Sequence, residues 1–149
     1  MKKIKILSIF ISVLCIISSC SKENLAEQWL IGKWEVTSLQ TTYQKLVNGV
    51  WETLEDETRP LGFLVTLDFK INGSGDLWEH SEPNSPGYLP YTWVLSEQNL
   101  TIELGDPEDI DILSFEILAS SKKAMTLYLE ETYTEDGERY ITILELKKK

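Results

Sequence analysis

Cysteine and histidine are almost missing from this chain of 149 residues, which contains two cysteines and one histidine. Cys15 and Cys20 stand five residues apart near the start, and they admit a disulfide, a reactive thiol or a processing site. The motifs G-x-S-x-G, H-E-x-x-H and the P-loop are also absent. The sequence therefore predicts no catalytic residue, no metal site and no cofactor, and it disfavours an enzyme.

The first nineteen residues have the pattern of a secretory signal. Three lysines within Met1–Lys5 are followed by an apolar run, 6–17, and then by small residues. A membrane-spanning helix needs roughly 20 apolar residues, so this run is too short to be one. The chain turns polar immediately after Cys20. The segment is therefore predicted to be removed from the mature protein.

The residues before Cys20, Ile17-Ser18-Ser19, resemble the bacterial lipobox. There an aliphatic residue, most often Leu, and two small residues, the second usually Gly or Ala, precede a cysteine that becomes the mature N-terminus. The resemblance implies that 1–19 is a lipoprotein signal peptide and that Cys20 carries diacylglycerol. Residues 20–31 would then form the lipidated cysteine, a tether and a short helix, and no thiol or disulfide would remain. An ordinary signal peptide with an incidental cysteine is the alternative.

Lipidation would fix where the protein works. Two or more acyl chains hold a protein stably on a membrane, so the predicted partner is a membrane reached through lipidated Cys20. We expect the bacterial cell envelope, and Ser21-Lys22-Glu23 lacks the aspartate often associated with inner-membrane retention. The outer membrane is therefore favoured. The sequence does not indicate on which side of that membrane the protein lies.

Acidic residues outnumber basic ones by 24 to 14, which gives a net charge of −10. Loss of three lysines with residues 1–19 would make the charge of the mature chain −13. Such a domain is a poor partner for nucleic acid and is attracted weakly to anionic lipid. The run Lys147–Lys149 is interpreted as a solvated end.

Beyond Gly32 the apolar residues alternate with period two, as in half-buried strands. The pair Asn72-Gly73 is a strong hairpin signal. The predicted strands, of which the second is the weakest, are 33–43, 46–53, 62–71, 75–80, 89–96, 99–105, 112–119, 124–132 and 139–147. They indicate an all-β fold: an antiparallel up-and-down meander that closes into a barrel of about eight strands, preceded by a short helix. An open sandwich is the alternative.

The motif Gly32-Lys33-Trp34 resembles the G-x-W signature of lipocalins and of the wider calycin group. With the lipobox, the segment Phe69–Gly75 and the later Tyr91-Thr92-Trp93, the chain is similar to lipocalin-like lipoproteins of Bacteroidetes-type bacteria. The resemblance implies a barrel over 32–149, in which Trp34 plugs the closed end and Arg139 is our candidate for the arginine that stacks on it. The T-D-Y signature of the family is absent.

Aromatic residues on or near strand ends suggest a ligand site, because ligand pockets are largely apolar and aromatic. The candidate lining residues are Phe63, Trp78, Tyr91 and Trp93. We expect a small hydrophobic or amphipathic ligand, bound without chemistry. An eight-stranded barrel can instead be filled by its own side chains. It would then serve as an interaction or structural module, with an unknown protein partner and an apolar outer patch around Leu64, Val94, Leu118 and Ile141.

Overall fold

The computed structural model describes residues 27–61, 64–80, 87–106 and 109–149. After a helical turn at residues 27–30, the strands are β1 (Gly32–Val47), β2 (Val50–Pro60), β3 (Val65–Phe69), β4 (Ser74–Glu79), β5 (Gly87–Ser96), β6 (Asn99–Asp106), β7 (Asp109–Ser120), β8 (Ala124–Tyr133) and β9 (Glu138–Lys148). Within the described ranges, no helix has the length and apolar character needed to cross a membrane.

The strands form one antiparallel sheet that closes on itself. Neighbours in space follow chain order from β3 to β9, and β1 pairs with both β3 and β9. Eight strands therefore make a closed barrel, and β2 is an additional strand beside β1. The predicted all-β meander, its closure and the short N-terminal helix are confirmed, and the open sandwich is not observed.

The long first strand divides the barrel into two parts. Its first residues, Gly32–Glu35, pair with β3, whereas Ser38–Val47 pairs with β2. β9 follows β1 along the other edge throughout. The upper parts of β1, β2, β8 and β9 therefore extend past the barrel as a sheet, here called the flap (residues 41–58 and 130–142). The flap marks the mouth of the barrel.

The opposite end of the barrel is the closed end. Antiparallel order brings the turns at 70–74, 96–99 and 120–124 together there, beside the helical turn at 27–30. Gly32 joins this helical turn to β1 with φ of +120°, in a region that favours glycine. The chain therefore turns tightly from the helical turn into the first strand at Gly32.

The second predicted strand, 46–53, crosses a turn in the structure. β1 continues to Val47, and Asn48 and Gly49 form the hairpin to β2 with φ values of 52° and 81°. Two consecutive positive φ values fit a two-residue turn of type I′, which Asn-Gly favours. The same dipeptide signal that identified the later hairpin was therefore present here.

Candidate ligand-binding cavity

Aromatic residues fill the closed end of the barrel. Trp34 is 1% exposed, and the ring of Phe69 meets the rings of Tyr91 and Trp93 edge to face at centroid distances of 5.6 and 5.7 Å. Such edge-to-face contacts are favoured by the ring quadrupoles. We call these four residues the aromatic plug.

Each polar atom of the aromatic plug has a backbone partner. Trp34 Nε1 donates to the carbonyl of Leu30 at 2.7 Å, and Trp93 Nε1 donates to the carbonyl of Ser74 at 2.9 Å. The Tyr91 hydroxyl donates to the carbonyl of Asp68 at 3.1 Å. Because buried donors are costly when unpaired, these bonds let large aromatic rings close the barrel.

Gly75 is required by the aromatic plug. It lies opposite Tyr91 in the β4–β5 pair, and a Cβ atom there would overlap the Tyr91 ring. Its φ is not in the left-handed region, so the constraint is close approach and not backbone conformation.

Above the aromatic plug, the barrel encloses a cavity of about 230 Å³. Its walls are wholly apolar. The lining residues are Val36, Leu39, Leu61, Val65, Leu67, Leu77, Ile102, Leu104, Leu113, Phe115, Leu127 and Leu144. Seven of the eight barrel strands contribute to this lining, so the cavity is a feature of the closed barrel and not of one loop.

The wall continues from the cavity onto the flap and changes character there. β1 and β9 face each other in register, and alternate pairs point to the inside. The successive inward pairs are Leu39–Leu144, Thr41–Thr142 and Tyr43–Tyr140. Since two residues span about 7 Å of strand, the tyrosine pair lies about 14 Å above the leucine pair. Apolar, hydroxyl and aromatic layers therefore follow one another toward solvent.

Carboxylates surround the two tyrosines of the flap. Tyr43 and Tyr140 stack at 4.9 Å, and the Tyr43 hydroxyl donates to Glu138 at 2.9 Å. This hydrogen bond raises the pKa of Tyr43 to about 12. Glu55 and Glu131 lie directly across the strands from Tyr43 and Tyr140, on the same face.

Few cations balance these carboxylates on the inner face of the flap. Arg59 holds Glu57 at 2.7 Å and lowers its pKa. Lys45 lies across from Glu52 on one side and Glu138 on the other. The inner rim of the mouth is therefore acidic.

The three predicted lining residues that the structure describes do not line the cavity. Trp78 is on the outer face, where its ring meets Tyr88 at 4.7 Å. It points outward because alternation in β4 turns its neighbour Leu77 into the cavity. Tyr91 and Trp93 belong to the aromatic plug below the cavity, and Phe63 lies outside the described residues. In the structure the cavity lining is aliphatic except for Phe115, and it contains none of the described residues that were predicted to line it.

The residue that covers Trp34 is Lys148 and not Arg139. Lys148 Nζ lies 5.2 Å from the centre of the Trp34 ring and donates to the carbonyl of Trp29 at 2.7 Å. Because β9 runs antiparallel to β1, its last residues meet the start of β1 and its first residues meet the flap. Arg139 accordingly lies over Trp51, 4.6 Å from the ring centre, and bonds to Gln44.

A wider groove of about 520 Å³ lies over strands β4 to β6 and is bordered by Tyr91. Its polar groups satisfy one another: Lys70 pairs with Asp76 at 2.6 Å, and the Tyr88 hydroxyl donates to Asp76 at 3.0 Å. Lys70 lowers the pKa of Asp76. This groove is open to solvent, and its polar groups already bond to one another and not to a ligand. The internal cavity is therefore the better candidate site, although the groove is larger.

Sequence reasoning placed many of the cavity residues on apolar faces without recognising the cavity. Alternation assigns Ile102, Leu113 and Leu127 to the inside, and the structure agrees. Alternation does not show how far each residue lies from the closed end along the barrel axis. That position depends on strand register. Tyr91 and Trp93 were predicted to contact a ligand, whereas their register places them in the aromatic plug.

An antiparallel eight-stranded barrel, with a plugged end and an apolar cavity below its mouth, is a lipocalin-like fold. Insecticyanin from the tobacco hornworm Manduca sexta aligns with a TM-score of 0.60 and 11% identity, over 80% of this chain and 61% of that one. The fold that the G-x-W resemblance implied is therefore confirmed.

Other solved structures align less well. A lipocalin-like protein from Bacteroides uniformis matches at 18% identity and a TM-score of 0.47, over 81% of this chain and 99% of that one. Bovine odorant binding protein, as a deswapped triple mutant, matches at 11% identity and a TM-score of 0.42, over 81% and 74%. No protein-family model and no curated protein matches the chain.

Proposed function

We propose that this protein is a lipid-anchored, non-catalytic protein of the bacterial cell envelope whose barrel binds a small apolar or amphipathic molecule. The observation that carries the proposal is the cavity of about 230 Å³ with its wholly apolar lining. The lipobox-like residues before Cys20 support the anchor. The role would be sequestration or carriage, because the cavity supplies no group that could donate or accept a proton.

The cavity volume limits the ligand. An apolar cavity of about 150 Å³ in another protein holds benzene, so by proportion this one takes about nine carbon atoms. A longer ligand would extend past the leucine layer toward the tyrosines of the flap. A fully filled barrel, the competing hypothesis, has no such volume, and this difference favours the ligand-binding function.

The expected affinity is modest. Each buried methylene contributes about 0.8 kcal/mol, so eight of them supply about 6 kcal/mol before the ordering cost of binding. That corresponds to a dissociation constant of tens of micromolar at best. An alkyl ligand of about eight carbons is therefore the appropriate probe.

Binding can be tested with octanol, which is uncharged, and a chain that begins at Ser21. All nine described strands and the buried core lie within residues 27–149, so this chain retains the whole folded unit. Calorimetric titration should give saturable binding of one octanol per barrel. Absence of binding up to millimolar octanol would reject the proposed function.

The site can be assigned with a matched pair of substitutions. Leu77→Phe enlarges a cavity-lining side chain and should weaken octanol binding at least tenfold. Val94→Phe enlarges an outer-face residue that is 66% exposed, and it should leave binding unchanged. Equal effects of the two substitutions would place the octanol outside the cavity.

A further inference from the structure

The closed end of the barrel gathers six lysines from three separated parts of the chain. They are Lys33, Lys122, Lys123, Lys147, Lys148 and Lys149, here called the basic cap. Backbone hydrogen bonds of 2.9 Å bring these segments together, from Lys149 N to the carbonyl of Lys33 and from Lys148 N to that of Lys123. The C-terminal run thus joins a larger basic surface, which the sequence alone did not reveal.

The lysines of the basic cap are available to solvent. Five are exposed and Lys148 is half-buried. Lys33 faces Asp68 across the β1–β3 pair, and Lys147 faces Glu35 across the β1–β9 pair. Within the described part of the chain, none of the six forms a salt bridge. Besides Asp68 and Glu35, Glu27 in the helical turn and Glu97 in the 96–99 turn lie at this end, so six lysines stand against four carboxylates and a small local positive excess remains.

The acidic charge of the protein is concentrated elsewhere. On the flap and around the mouth the carboxylates are Glu52, Glu55, Asp56, Glu57, Asp109, Asp111, Glu130, Glu131, Glu135, Asp136 and Glu138. β9 spans the barrel with 11 residues, about 35 Å at the rise of a strand. The Debye length is about 8 Å at physiological ionic strength, so charges of the flap are largely screened at the cap. An acidic protein can therefore present a basic end.

The same end receives the chain from Cys20. Lys148 Nζ bonds to the carbonyl of Trp29 in the helical turn, which fixes that turn against the basic cap. Six residues lie between Cys20 and Glu27, so the seven Cα–Cα steps from one to the other reach at most about 25 Å. A lipid on Cys20 would thus hold the cap near the bilayer.

We propose that the basic cap docks on anionic lipid headgroups and that the mouth of the barrel points away from the bilayer. Each lysine near an anionic surface contributes roughly a fivefold factor in binding, so the cap alone binds weakly and reversibly. Its effect would be to orient a protein that the anchor already holds. This proposal is independent of any ligand in the cavity.

Vesicle co-sedimentation of the chain from Ser21 tests the docking surface without the anchor. Vesicles of phosphatidylcholine with 30% phosphatidylglycerol should bind it more than about 25-fold better than pure phosphatidylcholine vesicles in 50 mM salt, since two lysines alone contribute that factor. In 500 mM salt the difference should vanish, because the attraction is screened. Equal binding to both vesicles in 50 mM salt would overturn the proposal.

Two double variants with the same change in net charge separate the cap from overall charge. Lys122→Gln with Lys149→Gln should lower binding to the anionic vesicles about 25-fold. Lys45→Gln with Arg59→Gln removes two cations near the mouth and should change it less than twofold. If both pairs lower binding equally, net charge and not the cap is responsible.

Orientation can be read from amide exchange. A chain beginning at Cys20 is coupled through its single thiol to a maleimide lipid in the anionic vesicles. Exchange should slow at the 120–124 turn and stay unchanged at the β1–β2 and β8–β9 hairpins. Protection at these hairpins with none at 120–124 would show the reverse orientation and reject the proposal.

Discussion

The closed end and the mouth of this barrel are built from the same eight strands but have opposite properties. At the closed end, aromatic rings fill the interior and lysines cover the outside. Toward the mouth, aliphatic side chains leave a cavity, and carboxylates and tyrosines line the flap. One end is thus suited to stability and to a surface contact, and the other to binding a small molecule.

The difference arises from where large residues fall along the strands. The aromatic plug uses Trp34, Phe69, Tyr91 and Trp93, whose volumes fill the space between strands. One or two layers higher, seven of the eight barrel strands contribute Leu, Ile or Val, together with Phe115, and the space is not filled. The cavity therefore follows from a change in residue size at constant polarity.

The largest expected contrast concerns two tryptophans on the hairpin β1–β2. Trp34 is 1% exposed in the aromatic plug, whereas Trp51 is half-buried on the flap beneath Arg139. Trp34→Ala should lower the free energy of unfolding by about 3–5 kcal/mol, the usual cost of emptying a core tryptophan site. Trp51→Ala should cost about 1 kcal/mol or less. Urea denaturation of both variants measures the contrast, and equal costs would mean that the flap belongs to the stabilising core.

A smaller effect is expected from the acidic inner rim of the mouth, provided that the cavity binds octyl chains. Unit charges 8 Å apart interact by about 0.5 kcal/mol in water, and several carboxylates act together here. Octylamine should therefore bind about tenfold more tightly than octanoate at pH 7 and low salt, with octanol between them. Calorimetric titration gives the order, and tighter binding of octanoate would contradict an acidic mouth.

Two double variants that each remove two negative charges locate the origin of this preference. Glu55→Gln with Glu131→Gln removes two carboxylates beside the flap tyrosines, and the preference for octylamine should shrink several-fold. Glu97→Gln with Glu116→Gln makes the same charge change at exposed positions away from the mouth, and it should leave the preference intact. Octanol binding should be unaffected in both variants.

The sequence allowed the fold to be predicted more fully than the site. Alternation and turn signals depend on neighbouring residues, and they identified the closed meander and the inward side of several strands. Trp78 on β4, which points outward, is an exception. The height of a residue depends on which residues pair across strands. Arg139 was predicted to cover Trp34 because the sequence does not show which residues of β1 and β9 pair. In the structure Trp34 pairs with Lys148, so Lys148 lies there instead. The cavity and the basic cap likewise depend on residues far apart in sequence.

The finest test compares two tyrosines whose pKa is raised for different reasons. Burial raises the pKa of Tyr91 in the aromatic plug, whereas the hydrogen bond to Glu138 raises that of Tyr43 on the flap to about 12. Below about pH 10 both are neutral and the bond from Tyr43 contributes fully. The contribution of this hydrogen bond to stability is lost as the pH rises toward 12, because Tyr43 ionises at lower pH in the unfolded chain than in the folded one.

NMR titration of ring-labelled tyrosines should show that Glu138→Gln lowers the pKa of Tyr43 toward 10 and leaves the pKa of Tyr91 unchanged. If Glu131→Gln lowered the pKa of Tyr43 as much, general acidity of the flap would be the cause.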